Sequence, residues 1–242
     1  MSERGKYIVG EGGDGTGKTT QILMLDDHIR SLGGDTLRVY NEETDRYEPI
    51  QEPGGTPLAN ELRKRIKDKS IDRTPWDNVV WLTDARVSTN EELIQPALEK
   101  GEYVLSGRNW FSTVIYQGYG QGVPIDEITD YTRERVGEQY MTPDMAVIFA
   151  IQKEVERQKR LSGRSGTDVR KDTFESLGDD FQERMRQGYI SFSEERDIAL
   201  VDASGKREEV FKLFLKHAEP LLGDLSHQPK SDSSPSSKLS KS

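Results

Sequence analysis

Cysteine is absent from the 242 residues, and histidine occurs only three times. Disulfides, thiolate nucleophiles, iron–sulfur clusters and Cys-ligated zinc are thereby excluded. Long apolar runs are missing as well. The longest near-continuous one, Met145 to Ile151, falls far short of the roughly 20 residues of a membrane-spanning helix. Met1 to Lys6 is charged and lacks the apolar centre of a secretory signal, so the expectation is a soluble, cytoplasmic protein. Positive charge is in deficit: 34 Lys plus Arg against 43 Asp plus Glu leave a net charge of −9. A surface of that sign repels nucleic acid unless a basic stripe compensates, and no such stripe dominates the sequence. Neither a nucleic-acid nor a membrane partner is expected.

The length suits one domain with a sizeable core. Ser226 to Ser242 holds eight serines and two prolines, with Leu239 as its only large aliphatic residue. That is too little apolar surface to offset chain entropy, which divides the chain into a domain over 1–225 and a disordered tail over 226–242. Within the domain, Tyr7 to Val9, Leu37 to Tyr40, Tyr103 to Leu105, Met145 to Ile151 and Ile198 to Val201 read as strands. They are too short and too apolar to be half-exposed antiparallel strands, which points to a parallel sheet covered on both faces. Ile22, Leu25, Ile29 and Leu32 recur at helical spacing and stop at Gly33 and Gly34, a C-terminal cap in sequence form. Leu58, Leu62 and Ile66 repeat every four residues. Thr74, Pro75 and Asp77 read as an N-cap, a first-turn proline and an acid at a helix start. The alternation predicts a doubly wound α/β fold, a five-stranded parallel sheet flanked by helices in three layers. The polar stretch Asn41 to Pro49 finds no explanation in this pattern.

Directly after the first strand comes Gly12-Gly13-Asp14-Gly15-Thr16-Gly17-Lys18-Thr19, with Thr20 following. It satisfies G-x-x-x-x-G-K-[ST] and leads into the Ile22 helix, the context that confirms a P-loop. Glycines let backbone N–H groups wrap phosphates, Lys18 reaches the β and γ oxygens, and the Thr19 hydroxyl can ligate Mg²⁺. ATP or GTP binding follows, although the loop leaves the acceptor open. A GTPase would carry a base-reading N-K-x-D, which does not occur. A motor ATPase would usually end a strand in acids, whereas the third candidate strand ends Leu105-Ser106-Gly107-Arg108. Arg157, Lys159, Arg160, Arg164, Arg170 and Lys171 crowd around Ser162-Gly163 and Ser165-Gly166. In an acidic chain this suggests a mobile, Arg-rich lid that neutralises transferring phosphate, the alternative being a solvated basic helix face.

Three further segments complete a pattern that resembles thymidylate kinase. Glu52-Pro53-Gly54-Gly55-Thr56 with Glu61-Leu62-Arg63 is similar to E-P-G-G-T…E-x-x-R. Arg108 with Ser112-Thr113 and Tyr116-Gln117-Gly118 is similar to D-R-Y-x-x-S-[ST]-x-A-Y-Q-G. Pro143-Asp144 opens the fourth strand, and the lid follows with Asp172-Thr173-Phe174-Glu175 and Gly188-Tyr189. The resemblance spans roughly Lys6 to Leu222. It implies a P-loop NTPase fold, a homodimer, and Mg²⁺-dependent transfer of the γ-phosphoryl of ATP to dTMP, giving dTDP and ADP for dTTP biosynthesis. Position by position, it implies that Arg63, Arg86 and Arg108 hold the acceptor phosphate or the base, as guanidinium forks suit phosphate oxygens. Glu52, Pro53, Thr113, Tyr116 and Gln117 fall in the acceptor pocket, where a tyrosine against the sugar edge excludes a 2′-hydroxyl by crowding. Asp14 matches a carboxylate between Mg²⁺ and the acceptor sugar, with Thr19 as the second metal ligand. Arg157, Arg160 and Arg164 are alternatives for the transition-state cation, because Gly15 stands where some relatives carry a loop arginine.

The departures are specific. Gly107 replaces an aspartate placed near the metal in the family, Leu82 stands at the position that stacks on thymine, Asn109 replaces a tyrosine and Thr173 an arginine. Trp81 lies beside Leu82; like Trp76 and Trp110 it reads as a packing residue. Asp14, helped by Asp84, is expected to carry the duty of the missing acid, and an aspartate restored at 107 to be tolerated or mildly activating. The rival readings are a kinase for another deoxynucleotide or deoxynucleoside and a non-catalytic nucleotide-binding regulator.

Overall fold

The computed structural model of the chain describes residues 3–42, 44–151, 174, 177–223 and 225. Arg157, Arg160 and Arg164 of the expected lid, and the expected tail over 226–242, lie outside the described residues.

β1 (Tyr7–Glu11) is buried along its whole length. Its side chains alternate, Tyr7 and Val9 entering one core and Ile8 the other, as the strand pleat requires. α1 (Lys18–Ser31) sets Ile22, Leu25 and Ile29 into the second core. It ends where Gly33 takes φ +88° and the Gly34 N–H donates to the Ile29 carbonyl at 3.1 Å.

The expected strand Leu37 to Tyr40 is not a strand of the central sheet. Thr36 makes a single parallel bridge to Tyr103, and the chain then leaves the sheet as an antiparallel hairpin of β2 (Val39–Asn41) and β3 (Arg46–Glu48). Tyr40 and Tyr47, directly opposite each other, sit at 5.6 Å between ring centroids and stay 49% and 63% exposed. This hairpin accounts for the polar stretch after Asn41. The sheet position goes instead to β4 (Ile50–Gln51), two residues paired in parallel with Ser106 and Gly107.

α2 (Pro57–Lys67) starts at Thr56, whose hydroxyl accepts from the Ala59 N–H at 3.1 Å; Leu62 and Ile66 are buried, whereas Leu58 is exposed. α3 (Pro75–Thr89) opens on a reciprocal cap. The Asp77 N–H donates to the Thr74 hydroxyl at 3.2 Å, and the Thr74 N–H to the Asp77 carboxylate at 2.7 Å. A π-helical turn, Asn90–Ile94, carries α3 on into α4 (Gln95–Glu99). After β5 (Val104–Gly107) come α5 (Trp110–Thr113), a second π-helical run Val114–Gly120, α6 (Ile125–Val136), α7 (Glu138–Met141) and β6 (Met145–Ala150). α8 (Asp179–Glu195), β7 (Ala199–Asp202) and α9 (Arg207–Ala218) complete the described elements.

The sheet has five parallel strands in the order β4-β5-β1-β6-β7, with a hydrophobic core on each face. Strand order reverses about β1, and the C-terminal ends of strands at such a switch form a ligand crevice. Glu11, Gln51 and Gly107 close β1, β4 and β5 there. No helix among the described residues is long and apolar enough to cross a membrane.

Candidate active site

The glycine-rich turn lies between β1 and α1. Gly12, Gly15 and Gly17 have φ of +143°, +86° and +83°, the left-handed region that side chains resist. A Cβ on Gly12 would also stand 2.4 Å from the Phe149 carbonyl oxygen. The Thr16 hydroxyl donates to the Gly13 carbonyl at 2.9 Å and closes the loop. Gly17 caps α1 without a side chain, so the first N–H groups of the helix face the crevice, an anion site by geometry and dipole. Lys18 is buried on the first turn, its Nζ 3.6 Å from Asp14 Oδ1. Thr19 and Thr20 follow, both exposed, and the Thr19 hydroxyl donates to Gln51 Oε1 at 3.4 Å.

Arg108 joins this loop to the end of β5. It holds a left-handed backbone, φ +82°, and its Nη2 donates to Asp14 Oδ1 at 2.7 Å while Nη1 donates to the Ser112 hydroxyl at 3.1 Å. The guanidinium lies 5.4 Å from the ring centroid of Tyr116. Burial works against its charge, but Tyr116, Asp14, Tyr189 and Glu11 outweigh that and raise its pKa well above the usual value. Arg108 is therefore a fixed cation. Sequence reasoning assigns no role to Glu11, although an acid closing an apolar strand is itself a signal. The buried carboxylate of Glu11 accepts from the Asn109 N–H at 2.9 Å and the Ser112 hydroxyl at 2.7 Å, and so ties the turn after β5 to β1.

Beneath the crevice, Glu52 is wholly buried and accepts from the hydroxyls of Tyr7 and Ser106, each at 2.9 Å, and from Tyr140. Burial raises its pKa, opposed by Arg86, 3.5 Å away, and by the three hydroxyls. Arg86, on α3, is also buried. Its Nη1 donates to the Leu82 carbonyl at 3.2 Å and the Thr113 hydroxyl at 2.8 Å, and its Nη2 to the Asn109 carbonyl at 2.6 Å. Of five guanidinium N–H groups, these bonds use three; Nε faces Glu52 at 3.5 Å without a hydrogen-bond partner among the described residues, and one N–H remains on Nη2.

A cavity of about 230 Å³ opens between these groups. Asp14, Glu52, Pro53, Arg63, Leu82, Arg86, Arg108, Tyr116 and Gln117 line it, together with Ser112, Ile66, Lys67 and Phe174. Thr113 is not on its wall and acts through Arg86. Trp81 is also off the wall, packed with Ala59, Leu62 and Ala85 while Arg73 lies over its ring. Asp84 pairs with Arg135 of α6 at 2.6 Å rather than supporting Asp14. Arg63 Nη1 donates to the carbonyls of Gln51 and Pro53 at 3.2 and 3.0 Å. Tyr116 and Gln117 ride on the π-helical run after α5. Burial, the largest influence, keeps Tyr116 a neutral phenol with its pKa raised. Gln117 is fully buried, and its Oε1 has no hydrogen-bond partner among the described residues. Phe174 closes the cavity edge-on to Tyr116, ring centroids 5.3 Å apart.

Residues 11–213 match the family model described as thymidylate kinase. A thymidylate kinase of Pelotomaculum thermopropionicum is 33% identical over 224 residues, 90% of this chain and 95% of that protein. One from Synechococcus sp. (strain CC9311) is 35% identical over 208 residues, 85% of this chain and 92% of that protein. In fold, the chain is similar to the crystal structure of thymidylate kinase from Ehrlichia chaffeensis. The TM-score is 0.64 at 20% identity, covering 88% of this chain and 97% of the other.

Proposed function

Because the chain belongs to the thymidylate kinase family, we propose that it transfers the γ-phosphoryl group of ATP to dTMP, giving dTDP and ADP. The observation that carries this reading is the 230 Å³ cavity itself, which opens on the phosphate loop at Asp14 and joins three arginines to an apolar wall of Leu82, Tyr116 and Phe174.

In this reading the loop N–H groups and Lys18 hold the β- and γ-phosphates of ATP. Arg63 and Arg108 hold the acceptor phosphate, and Arg108 presents a fixed cation beside the transferring group. With Nε turned toward Glu52, Arg86 has one terminal N–H to offer, on Nη2, which suits one carbonyl of a base rather than both oxygens of a phosphate. Gln117, with a buried Oε1 that has no partner among the described residues, is the second group suited to a base edge, and Tyr116 crowds the sugar. Catalysis is then positioning and charge neutralisation. No general base is required, because an acceptor phosphate is already ionised at neutral pH.

Mg²⁺ belongs to this reading. Among the described residues no group of three or more His, Cys, Asp or Glu is arranged to hold a metal. The loop instead offers one hydroxyl, Thr19, and one carboxylate, Asp14, a donor set that suits an ion held mainly by phosphate oxygens and water. Those two residues would hold it, and the bound ion supplies positive charge at the phosphate oxygens. A homodimer is also part of the reading, and light scattering tests it.

The decisive measurement is ADP release with dTMP, dUMP, dCMP, dGMP, UMP and thymidine as acceptors. Highest kcat/KM with dTMP is expected. Preference for another acceptor would reassign the substrate, and no turnover with any of them would favour a nucleotide-binding regulator.

A further inference from the structure

Gly107 stands where the family places an acid, and its neighbour across the sheet is Gln51, in register at the end of β4. A Cβ built on Gly107 would lie 2.6 Å from Gln51 Oε1 and 2.9 Å from Nε2. The carboxamide therefore occupies the space that any side chain at 107 would enter. The same Oε1 accepts the hydroxyl proton of Thr19 at 3.4 Å. A threonine that ligates a cation must turn a lone pair toward it and send its proton elsewhere, and an acceptor fixed on the far side sets that orientation. Asp14, the sequence-based candidate for the duty of the missing acid, is engaged with Arg108 at 2.7 Å and Lys18 at 3.6 Å, and Asp84 with Arg135. Gln51 is the group that reaches Thr19.

We propose that Gln51 is a positioning residue for the metal–nucleotide complex: its carboxamide oxygen takes the Thr19 proton, in space that only glycine at 107 leaves open. This rests on the reading of the loop as an ATP and Mg²⁺ site. It replaces a charged residue by a neutral one, so the orientation of Thr19 is kept while the local negative charge is reduced. It also makes positions 51 and 107 a matched pair. An aspartate restored at 107 is then not neutral, since Gln51 must first move away.

The test is ADP binding by calorimetry with and without Mg²⁺, which isolates the gain in affinity due to the metal. Gln51→Ala is expected to reduce that gain about tenfold, the scale of lost outer-shell support at metal sites, with metal-free ADP affinity unchanged. Gln51→Glu, which keeps an acceptor oxygen at the same reach, is expected to retain the gain. Gly107→Ala adds no charge but displaces the carboxamide. It is expected to lower the gain as Gln51→Ala does, and to add nothing in the double variant. An undiminished gain in Gln51→Ala would overturn the assignment, as would equal losses with and without metal or additive effects of the two substitutions. A wild type whose ADP affinity ignores Mg²⁺ would overturn the metal reading, and this assignment with it.

Discussion

Lys18 and Glu52 carry opposite kinds of consequence, although both are buried charges. Lys18 lies on the first turn of α1, with its ammonium at the loop beside Asp14. Lys18→Ala is expected to lower kcat about 100-fold or more, the scale of removing one donor to transition-state charge, with the melting temperature little changed. Near-normal turnover of dTMP would contradict the loop assignment. Glu52 instead neutralises Arg86 and receives three hydroxyls. Glu52→Ala leaves a buried guanidinium without its countercharge, a loss on the order of 3–5 kcal/mol, to be read from urea unfolding midpoints. The glycines and Lys18 of the loop were legible in the sequence because their spacing is itself the chemistry. Glu52 was legible only by family likeness, since three of its partners, Tyr7, Ser106 and Tyr140, come from separate elements that no local pattern connects. Gln51 was not legible at all: its meaning depends on an atom that Gly107 lacks.

Among the elements, helices announced themselves through their ends. The Thr74 and Asp77 cap was written in sequence and recurs in the structure as two hydrogen bonds. Thr74→Ala is expected to cost about 1 kcal/mol. Leu82 and Arg86 lie further along α3, so kcat/KM for dTMP should hold; paired urea unfolding and steady-state kinetics check both. Strands were harder to read. An apolar run such as Leu37 to Tyr40 looks the same in a buried sheet and in a projecting hairpin, because period alone does not say what covers the second face. β4 is two residues long and has no period to detect. The π-helical runs were invisible for a related reason: their i→i+5 bonding departs from the 3.6-residue rhythm used to find helices. Yet one of them presents Tyr116 and Gln117 to the cavity.

Across the whole molecule, four buried phenols share one property. Tyr7, Tyr116, Tyr140 and Tyr189 all have pKa values raised above the usual 10, with burial as the largest cause and carboxylates such as Glu52 and Glu11 adding to it. A phenol whose folded pKa exceeds its unfolded value stabilises the fold fully below the unfolded value, near 10, and that contribution is lost as pH rises through the folded one. The unfolded chain ionises first, so stability falls as pH climbs beyond about 10. These four rings are consequently a built-in optical reporter. In an alkaline titration followed by phenolate absorbance, they are expected to stay silent at first and then to appear together in one cooperative step. That step should coincide with loss of helical circular dichroism. Gradual ionisation of all the rings, with the helices intact, would show that solvent reaches Glu52 and Glu11 in the folded protein.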